Sequence, residues 1–424
     1  MPVILISTVL QKTLYILLAA LYAGMLIFIF CRVNRKKGNL LPWQWIAIAF
    51  LAKAAAGMVY GYIYSHYYTI SDSWVYFKES LGDYHDLIHD PAHFFSINSD
   101  FRHFTGLFST SDDAFWSNAG ENILIKLLGM LNVFSNGNYY IDVILFNAFS
   151  FWGLYLIYRV AVYHLPGNNG WIYLLIFFWP SCLFWNSAID KDGLMIYFTG
   201  ILISSAHNYS IRKKAALSLL LAVVSFAGIL LMRNVNALIF VPAIIAWWIT
   251  SKIYRRYWVI FAVVYGVTIL VFFLSGLRSS SFNLPQQFAG RQHQFLSLEA
   301  STRLPLTSLE PTLISYIKVF PEAVNHIFFR PYITEITSPF HAMMCGENII
   351  FICIIFFSLS RNKYAVSHLA KPFNLFLCSF SLSGLLLIGY IVPFPGAIIR
   401  YKAFYTMIFL LPFVGSINKA ATIK

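Results

Sequence analysis

The sequence predicts an all-α polytopic membrane protein with about eleven transmembrane helices. Of its 424 residues, 59% are hydrophobic and only 11% are charged. Average soluble domains are about 45–50% apolar and about 25% charged, so a soluble chain of this composition could not cover its surface with polar groups. The composition therefore excludes soluble enzymes, disordered chains and disulfide-rich secreted scaffolds.

Apolar runs along the chain mark the expected spans. A bilayer core requires roughly 20 apolar residues per helix, and somewhat fewer where a helix is short or partly buried in protein. Two long polar stretches, 65–139 and 276–345, interrupt the runs, so we expect a single transmembrane domain over 1–424 with two long loops. The runs lie at 13–31, 43–64, 140–158, 171–187, 193–206, 215–231, 235–250, 257–275, 346–359, 373–391 and 399–414.

The basic residues predict the orientation of these spans. The first run is followed by a basic cluster at 32–37 and has no small-residue cleavage site, which is typical of a retained helix with its N-terminus outside. If successive loops alternate between the two sides from that start, over half of the 30 Lys and Arg residues fall in inner segments. None of the 17 Asp and Glu residues falls there. The positive-inside rule then predicts a cytoplasmic C-terminus, with both long loops on the extracytoplasmic side of the inner (plasma) membrane. The net charge of +13 is therefore a topology signal, and no nucleic-acid partner is expected.

Short polar motifs interrupt the apolar runs at their predicted outer ends. Polar groups at membrane depth are costly unless they line a cavity or bind a ligand. For any one of these residues, an interfacial charge that snorkels to water is at least as good an interpretation. Their convergence on one side predicts a single cavity open to that side. The motifs are Asp190-Lys191-Asp192, Arg233-Asn234-Val235-Asn236 and Arg400-Tyr401-Lys402.

Asp72 opens the motif Asp72-Ser73-Trp74-Val75-Tyr76-Phe77, a few residues beyond the second run. A carboxylate at the membrane surface can serve as a general base or as a metal-binding acid. Neighbouring aromatic residues such as Tyr76 are suited to stacking on a sugar or to anchoring at the interface. The competing interpretation is an ordinary helix cap, because Asp is a favoured N-cap residue.

The Asp190-Lys191-Asp192 motif follows a proline and an aromatic run at 179–185, which predicts a helix that breaks near the outer surface. An Asp here would cap the next helix, whose N-terminus favours anions. Lys191 could then neutralise a bound phosphate. A self-neutralising Asp/Lys cluster at a helix start is the alternative.

Three arginines lie where the chain enters or re-enters the membrane. Arg233 separates two apolar runs, Arg330 lies at the re-entry from the second long loop near Glu335 and Glu347, and Arg400 begins the last run. A guanidinium near the bilayer favours an anionic partner and recognises phosphate in a bidentate manner. That partner is either a lipid-linked phosphate or bulk phospholipid headgroups.

Lys53 differs from the other basic residues because it lies near the middle of the second run, among alanines and Gly57. Small residues favour close helix packing. A lysine at this depth is expected to have a function. The alternative interpretation is a structural one, in which Lys53 forms an ion pair with an acid such as Asp142.

Several catalytic motifs are absent from the sequence. It contains no Walker loop, no GxSxG and no HExxH, and its five cysteines have no CxxC spacing. No acidic residue lies in a predicted cytoplasmic segment to coordinate the metal of a nucleotide sugar. An activated substrate is therefore expected to arrive from the membrane.

In their order along the chain, the polar motifs resemble those of the integral-membrane glycosyltransferases of the GT-C superfamily. The resemblance is closer to the bacterial membrane proteins associated with polysaccharide biosynthesis. The matching residues span most of the chain, and each motif is short. They are Asp72-Ser73-Trp74-Val75-Tyr76; Pro180-Ser181 with Trp185, Ser187 and Lys191-Asp192-Gly193-Leu194; Arg233 before Phe240-Val241-Pro242; Phe329-Arg330-Pro331-Tyr332 with Glu335 and Glu347-Asn348; and Gly396-Ala397-Ile398-Ile399-Arg400-Tyr401-Lys402.

The resemblance implies a donor sugar on a polyprenyl phosphate, bound from the membrane, with Asp72 as catalytic base or metal-associated acid. The resemblance leaves open whether a divalent metal serves as a cofactor, and it implies no other cofactor. The chain departs from the usual pattern because its acidic loop follows the second helix and carries Asp72 in place of an acidic pair. The candidates for binding the donor phosphate are Lys191, Arg233, Arg330, Arg400 and Lys402, with Tyr76, Asp192, Glu335, Glu347 and Lys53 as supporting residues.

The expected function is an inverting transfer of a sugar from a polyprenyl-phosphate donor to an acceptor glycan or lipid on the outer face, among membrane lipids. Two alternatives remain open. One is a polysaccharide polymerase or ligase that joins lipid-linked glycans. The other is a transporter or flippase of lipid-linked glycans, in which Lys53 and Asp142 would form a coupling pair; the lack of an inverted repeat counts against it.

Overall fold

The computed structural model describes residues 2–68, 71–95, 115–165, 169–211, 215–253, 256–277, 283–298, 302–361 and 365–417. Within these ranges the regular structure is helical and includes no β-strand. The α-helices are α1 (Pro2–Lys36), α2 (Trp43–His66), α3 (Asp72–His89), α4 (Pro91–Phe94), α5 (Phe115–Ser135), α6 (Tyr139–His164), α7 (Asn169–Phe178), α8 (Pro180–Trp185), α9 (Lys191–Ser210), α10 (Ala215–Met232), α11 (Asn234–Thr250), α12 (Tyr257–Ser275), α13 (Leu284–Ser297), α14 (Leu313–Phe328), α15 (Pro339–Arg361), α16 (Ala365–Leu369), α17 (Pro372–Ile391) and α18 (Pro395–Ser416).

Eight of the described helices are long and apolar enough to cross a membrane: α1, α2, α6, α10, α12, α15, α17 and α18. This confirms the predicted class, an α-helical polytopic membrane protein. The other three predicted spans lie in helices that fall outside this set. The run 171–187 divides between α7 and α8, α11 has 17 residues, and α9 has 20 residues with a charged first turn. The count of eleven and the orientation therefore stay predictions.

The predicted helix break is present. Helix α7 ends at Phe178, Trp179 is extended, and Pro180 occupies the first position of the short helix α8. Proline lacks an amide hydrogen, and the first position of a helix is where that loss costs least. After Trp185 the chain turns through 186–190 into α9, which brings polar groups into the interior of the protein.

Both long loops contain helices that fold onto the bundle. In the first loop, α3 packs against α5, and α5 packs against α6, α9 and α10. In the second, α13 and α14 pack against α17, and an extended segment at 302–312 joins them. The loops are therefore folded parts of the protein at the ends of the spans. Residues 96–114 and 278–282 lie outside the described ranges.

The centre of the bundle is formed by α6, α9 and α18, and α12 lies at its edge. In the most apolar 18-residue stretch of each helix, 78% of α18 is buried within the protein but only 6% of α12. Helices α6 and α9 approach closely at Gly153 and Gly200. A Cβ on Gly153 would overlap the carbonyl oxygen of Ile196, and one on Gly200 would overlap the carbonyl oxygen of Gly153. This is the small-residue packing typical of membrane helices.

Candidate functional site

Five charged side chains meet where α3, α9, α11 and α18 begin; we call this set the charged centre. Its members are Asp72, Asp190, Asp192, Arg233 and Arg400. Arg400 contacts all three carboxylates: Nη1 lies 3.1 Å from Asp72 Oδ2, Nε lies 3.2 Å from Asp192 Oδ2, and Nη2 pairs with Asp190 Oδ2. Residues that are over 300 positions apart in sequence therefore share one cluster.

Helix starts explain why the carboxylates lie here. Asp72 and Asp192 lie in the first turns of α3 and α9, and Asp190 directly precedes α9 at its N-cap. The N-terminus of a helix carries a partial positive charge and unpaired amide groups, which stabilise a carboxylate. Arg233 occupies the N-cap position of α11. The cap interpretation of Asp72 is wrong, because Ser71 holds the N-cap position of α3, and Asp190 stands at the N-cap of α9 without a side-chain capping hydrogen bond. Both carboxylates pair with Arg400 instead.

Asp192 bridges the two arginines of the centre. Arg233 places both Nε and Nη2 at 2.9 Å from Asp192 Oδ1, while Arg400 contacts Oδ2. Burial acts to raise the pKa of Asp192, but Arg233 and Arg400 hold that pKa below its ordinary value. For Asp190, burial raises the pKa and outweighs the attraction of Arg400. Both carboxylates are thus fixed inside the protein by guanidinium groups.

Lys191 faces away from the charged centre toward the first long loop. Its Nζ lies 2.8 Å from Oε1 of Glu121 on α5. Tyr76 on α3 is buried, and its pKa is raised by that burial and further by the charges of Asp190, Glu121 and Asp72. Tyr76 is therefore close enough to the charged centre to be influenced electrostatically by its carboxylates. Sequence reasoning missed Glu121, because no motif distinguishes it from other polar residues of α5.

A cavity of about 140 Å³ adjoins the charged centre. One part of its lining is polar and includes Asp192, Arg233, Arg291 and Arg400. The lining also includes apolar residues, mainly from α17 and α18: Leu387, Ile388, Ile391, Val392 and Phe404. This combination suits an anionic head attached to an apolar chain.

Arg291 on α13 is the arginine of this cavity that sequence reasoning did not identify. Its Nη2 donates to Asn234 Oδ1 at 3.4 Å. Within the described ranges, no carboxylate lies within 4.0 Å of its guanidinium. Burial lowers the pKa of Arg291, and the like charge of Arg233 lowers it further. This side chain therefore has capacity to bind an anion, whereas Arg233 and Arg400 are paired with acids.

Gln292 explains how α13 is held beside the cavity. Its side chain is fully buried; Nε2 donates to the carbonyl oxygens of Thr307 at 3.0 Å and Tyr390 at 2.9 Å, and Oε1 accepts from Leu309 N at 2.6 Å. These bonds join α13 to the extended segment and to α17. Arg291 is thus carried on an anchored helix, which supports precise binding.

The remaining candidates from the last part of the chain form a second group, which we call the Lys402 cluster: Arg330, Glu335, Glu347, Asn348 and Lys402. Lys402 Nζ donates to Ile327 O at 3.0 Å and to Asn348 Oδ1 at 2.6 Å. Arg330 Nη2 lies 3.3 Å from Glu335 Oε1, and Glu347 Oε1 accepts from the amide of Ser181 at 2.5 Å. None of the five lines the cavity. Arg330 and Lys402 are therefore not brought together with Arg233 and Arg400.

Lys53 is fully buried beneath the charged centre and holds the turn that leads to it. Its Nζ donates to the Asn186 carbonyl oxygen at 2.7 Å and to Ser187 Oγ at 3.1 Å. Lys53 makes no ion pair with Asp142, although both residues are described. The pairing expected as an alternative is therefore wrong, because the polar turn 186–190 supplies the oxygen acceptors instead.

No metal centre is evident in the described part of the chain, where no three His, Cys, Asp or Glu side chains are grouped to hold an ion. The guanidinium of Arg400 occupies the space between the three carboxylates of the charged centre. All five cysteines are free thiols; Cys182 and Cys345 are buried, whereas Cys353 is exposed.

Fold and site together define an integral-membrane α-helical protein with a cluster of paired charges beside an amphipathic cavity. Comparison with protein-family models, with curated proteins and with solved structures finds no match to this chain.

Proposed function

We propose that the protein is a membrane glycosyltransferase that moves a sugar from a polyprenyl-phosphate donor to a glycan or lipid acceptor on the extracytoplasmic face. One observation carries the proposal. An accessible carboxylate, Asp72, is held by Arg400 next to a cavity whose lining combines three arginines with apolar residues of α17 and α18. The resemblance of the motifs to GT-C glycosyltransferases supports the same class.

Asp72 is the member of the charged centre that an acceptor can reach. Its side chain is 51% exposed, against 4% for Asp190 and 10% for Asp192. The acceptor hydroxyl attacks the anomeric carbon, and Asp72 takes the hydroxyl proton. The bond between the anomeric carbon and the phosphate oxygen breaks, and polyprenyl phosphate leaves with the bonding electrons. The configuration at the anomeric carbon is inverted.

The cavity provides the leaving-group side of this reaction. Arg291, with Arg233 behind it, faces the developing negative charge on the phosphate oxygen, and preorganised cations of this kind lower the barrier of such a step. The apolar residues of α17, such as Leu387 and Ile391, accept the first isoprene units of the carrier. Arg400 orients Asp72 and lies between it and the two buried carboxylates.

Asp72→Asn tests the proposal. General-base catalysis contributes roughly 100- to 10,000-fold, so we expect sugar transfer in membranes to fall by a factor in that range. Asp86→Asn, on the same helix and paired with His93 instead of Arg400, is the matched control and retains activity. Full transfer by Asp72→Asn at unaltered expression would remove Asp72 from the mechanism.

A polysaccharide polymerase or ligase is the second candidate, and the proximity of Arg233 to Arg291 favours it, because two guanidinium groups suit a diphosphate carrier. Product length separates the two candidates. Single additions support the transferase, whereas ladders of products support the polymerase. The transporter alternative loses its coupling pair, since Lys53 does not contact Asp142.

A further inference from the structure

A groove lies between α9, α10 and α11 at the ends of these helices remote from the charged centre. Its volume is about 310 Å³, and its lining includes Tyr209, Ser218, Leu219, Trp247 and Trp248. Helix α9 starts at the charged centre and ends at the groove, and the same is true of α11. At 1.5 Å per residue, a helix of this length separates the two sites by about 25 Å. The groove is therefore not part of the proposed active site.

The groove is open on an exposed, apolar surface of the helix bundle, as expected of a surface that faces lipid. Leu219 is 54% exposed and Trp248 is 45% exposed, and most apolar residues of α10 next to Leu219 are exposed as well. Its inner wall is rigid: Trp247 is buried and its ring stacks on Phe376 at 4.8 Å. A preformed, mostly apolar recess on a lipid-facing surface fits a hydrocarbon chain.

The sequence that forms the groove is basic and contains no acidic residue near it. Lys252, directly after α11, places its Nζ 3.8 Å from the ring centre of Trp248. No Asp or Glu occurs in the sequence between Asp192 and Glu299, a stretch that contains α10, α11 and all of α9 after its first two residues. Basic residues beside a membrane surface attract anionic lipid headgroups, and this end of the bundle is the one predicted to be cytoplasmic.

We infer that this groove is a binding site for an anionic phospholipid, with one acyl chain along Leu219 and Trp248 and the phosphate beside Lys252. Trp248 suits this position because its ring contacts the chain on one side and the ammonium group on the other. The site is independent of the proposed sugar transfer. It fixes α9, α10 and α11 to one leaflet while their opposite ends carry the charged centre.

Native mass spectrometry of the full chain with phosphatidylglycerol and phosphatidylcholine of identical acyl chains tests the inference. The native chain is expected to retain phosphatidylglycerol more strongly. A basic residue near an anionic lipid contributes to the binding free energy of that lipid. We therefore expect Lys252→Gln to weaken phosphatidylglycerol retention about five-fold and to leave phosphatidylcholine retention unchanged. Trp248→Ala weakens retention of both lipids, because it removes the apolar contact.

Two matched controls flank the connection between α1 and α2, which is predicted to face the same side: Lys36 ends α1 and Trp43 begins α2. Lys36→Gln removes an exposed lysine, and Trp43→Ala removes a tryptophan that is 58% exposed. Both controls are expected to retain the lipids as the native chain does. Equal retention of the two lipids by the native chain would overturn the inference, as would an equal loss in Lys36→Gln and Lys252→Gln. Because Lys252 is an exposed side chain, its replacement keeps the test open even if Trp248→Ala fails to fold.

Discussion

The charged centre and the Lys402 cluster contain the same kinds of residue but differ in access. In the Lys402 cluster, Lys402 and Glu347 are almost fully buried; Lys402 donates hydrogen bonds to neighbouring protein oxygens, and Glu347 accepts one from the Ser181 amide. In the charged centre, Asp72 is half exposed and Arg291 and Arg233 line an adjoining cavity. Charged groups whose partners all lie within the protein stabilise the fold. Charged groups that stay accessible beside a cavity can instead act on a ligand. The predictions below test this distinction in order of their expected effect on stability.

Arg400→Gln has the largest expected effect. It leaves Asp190 and Asp192 buried with one arginine for two carboxylates, and removing one partner from a buried ionic group costs about 3–5 kcal/mol. Thermal unfolding in detergent measures the loss, and Arg400→Lys recovers part of it because an ammonium cannot span three carboxylates. An unchanged unfolding temperature for Arg400→Gln would show that the three pairings do not hold the centre together.

Sequence reasoning predicted much of this centre but could not separate it from the Lys402 cluster. Helix starts, prolines and local charge identify Asp72, Asp192 and Arg400, since these signals are local. Successive helical residues are rotated by about 100°, so residues two apart point in nearly opposite directions. Arg400 therefore faces the carboxylates while Lys402 faces Asn348.

The residues that sequence reasoning missed depend on tertiary packing. Arg291 reaches the cavity because Gln292 anchors α13 to α17 and to the segment 302–312, and no local pattern encodes those long-range bonds. Glu121 likewise could not be identified from local sequence, because its partner Lys191 is 70 residues away along the chain. The helical membrane class was predictable because composition and run length determine it.

Asn348→Ala has the next largest expected effect, and it tests the structural role of the Lys402 cluster. Asn348 accepts from Lys402 Nζ and donates to the Arg330 carbonyl oxygen at 2.9 Å. Loss of both bonds leaves buried groups unsatisfied, at a cost of about 1–3 kcal/mol. We expect a lower unfolding temperature and unchanged transfer activity per folded molecule. A loss of activity without a loss of stability would place this cluster in the active site.

Lys191→Gln has a smaller expected effect on stability. It removes the ion pair between the largely buried Lys191, whose side chain is 10% exposed, and Glu121, whose side chain is 37% exposed and open to water. Pairs that reach solvent contribute about 0–1 kcal/mol. The unfolding temperature therefore changes little, and it becomes less sensitive to added salt, because salt screens the pair in the native chain. A loss comparable to that of Arg400→Gln would make Lys191 a member of the charged centre.

Arg291→Gln has the smallest expected effect on stability and separates binding from folding. The Arg291 guanidinium has no carboxylate partner in the described ranges and lies near the like charge of Arg233, so its removal costs little and relieves repulsion. A hydrogen bond to a charged group contributes about 1.5–3 kcal/mol, so the KM for a polyprenyl-phosphate donor rises roughly 10- to 100-fold. His293→Gln, an exposed neighbour on α13, leaves both the KM and the unfolding temperature unchanged. If Arg291→Gln keeps the native KM while Asp72→Asn abolishes transfer, the phosphate binds elsewhere and the catalytic assignment of Asp72 stands without it.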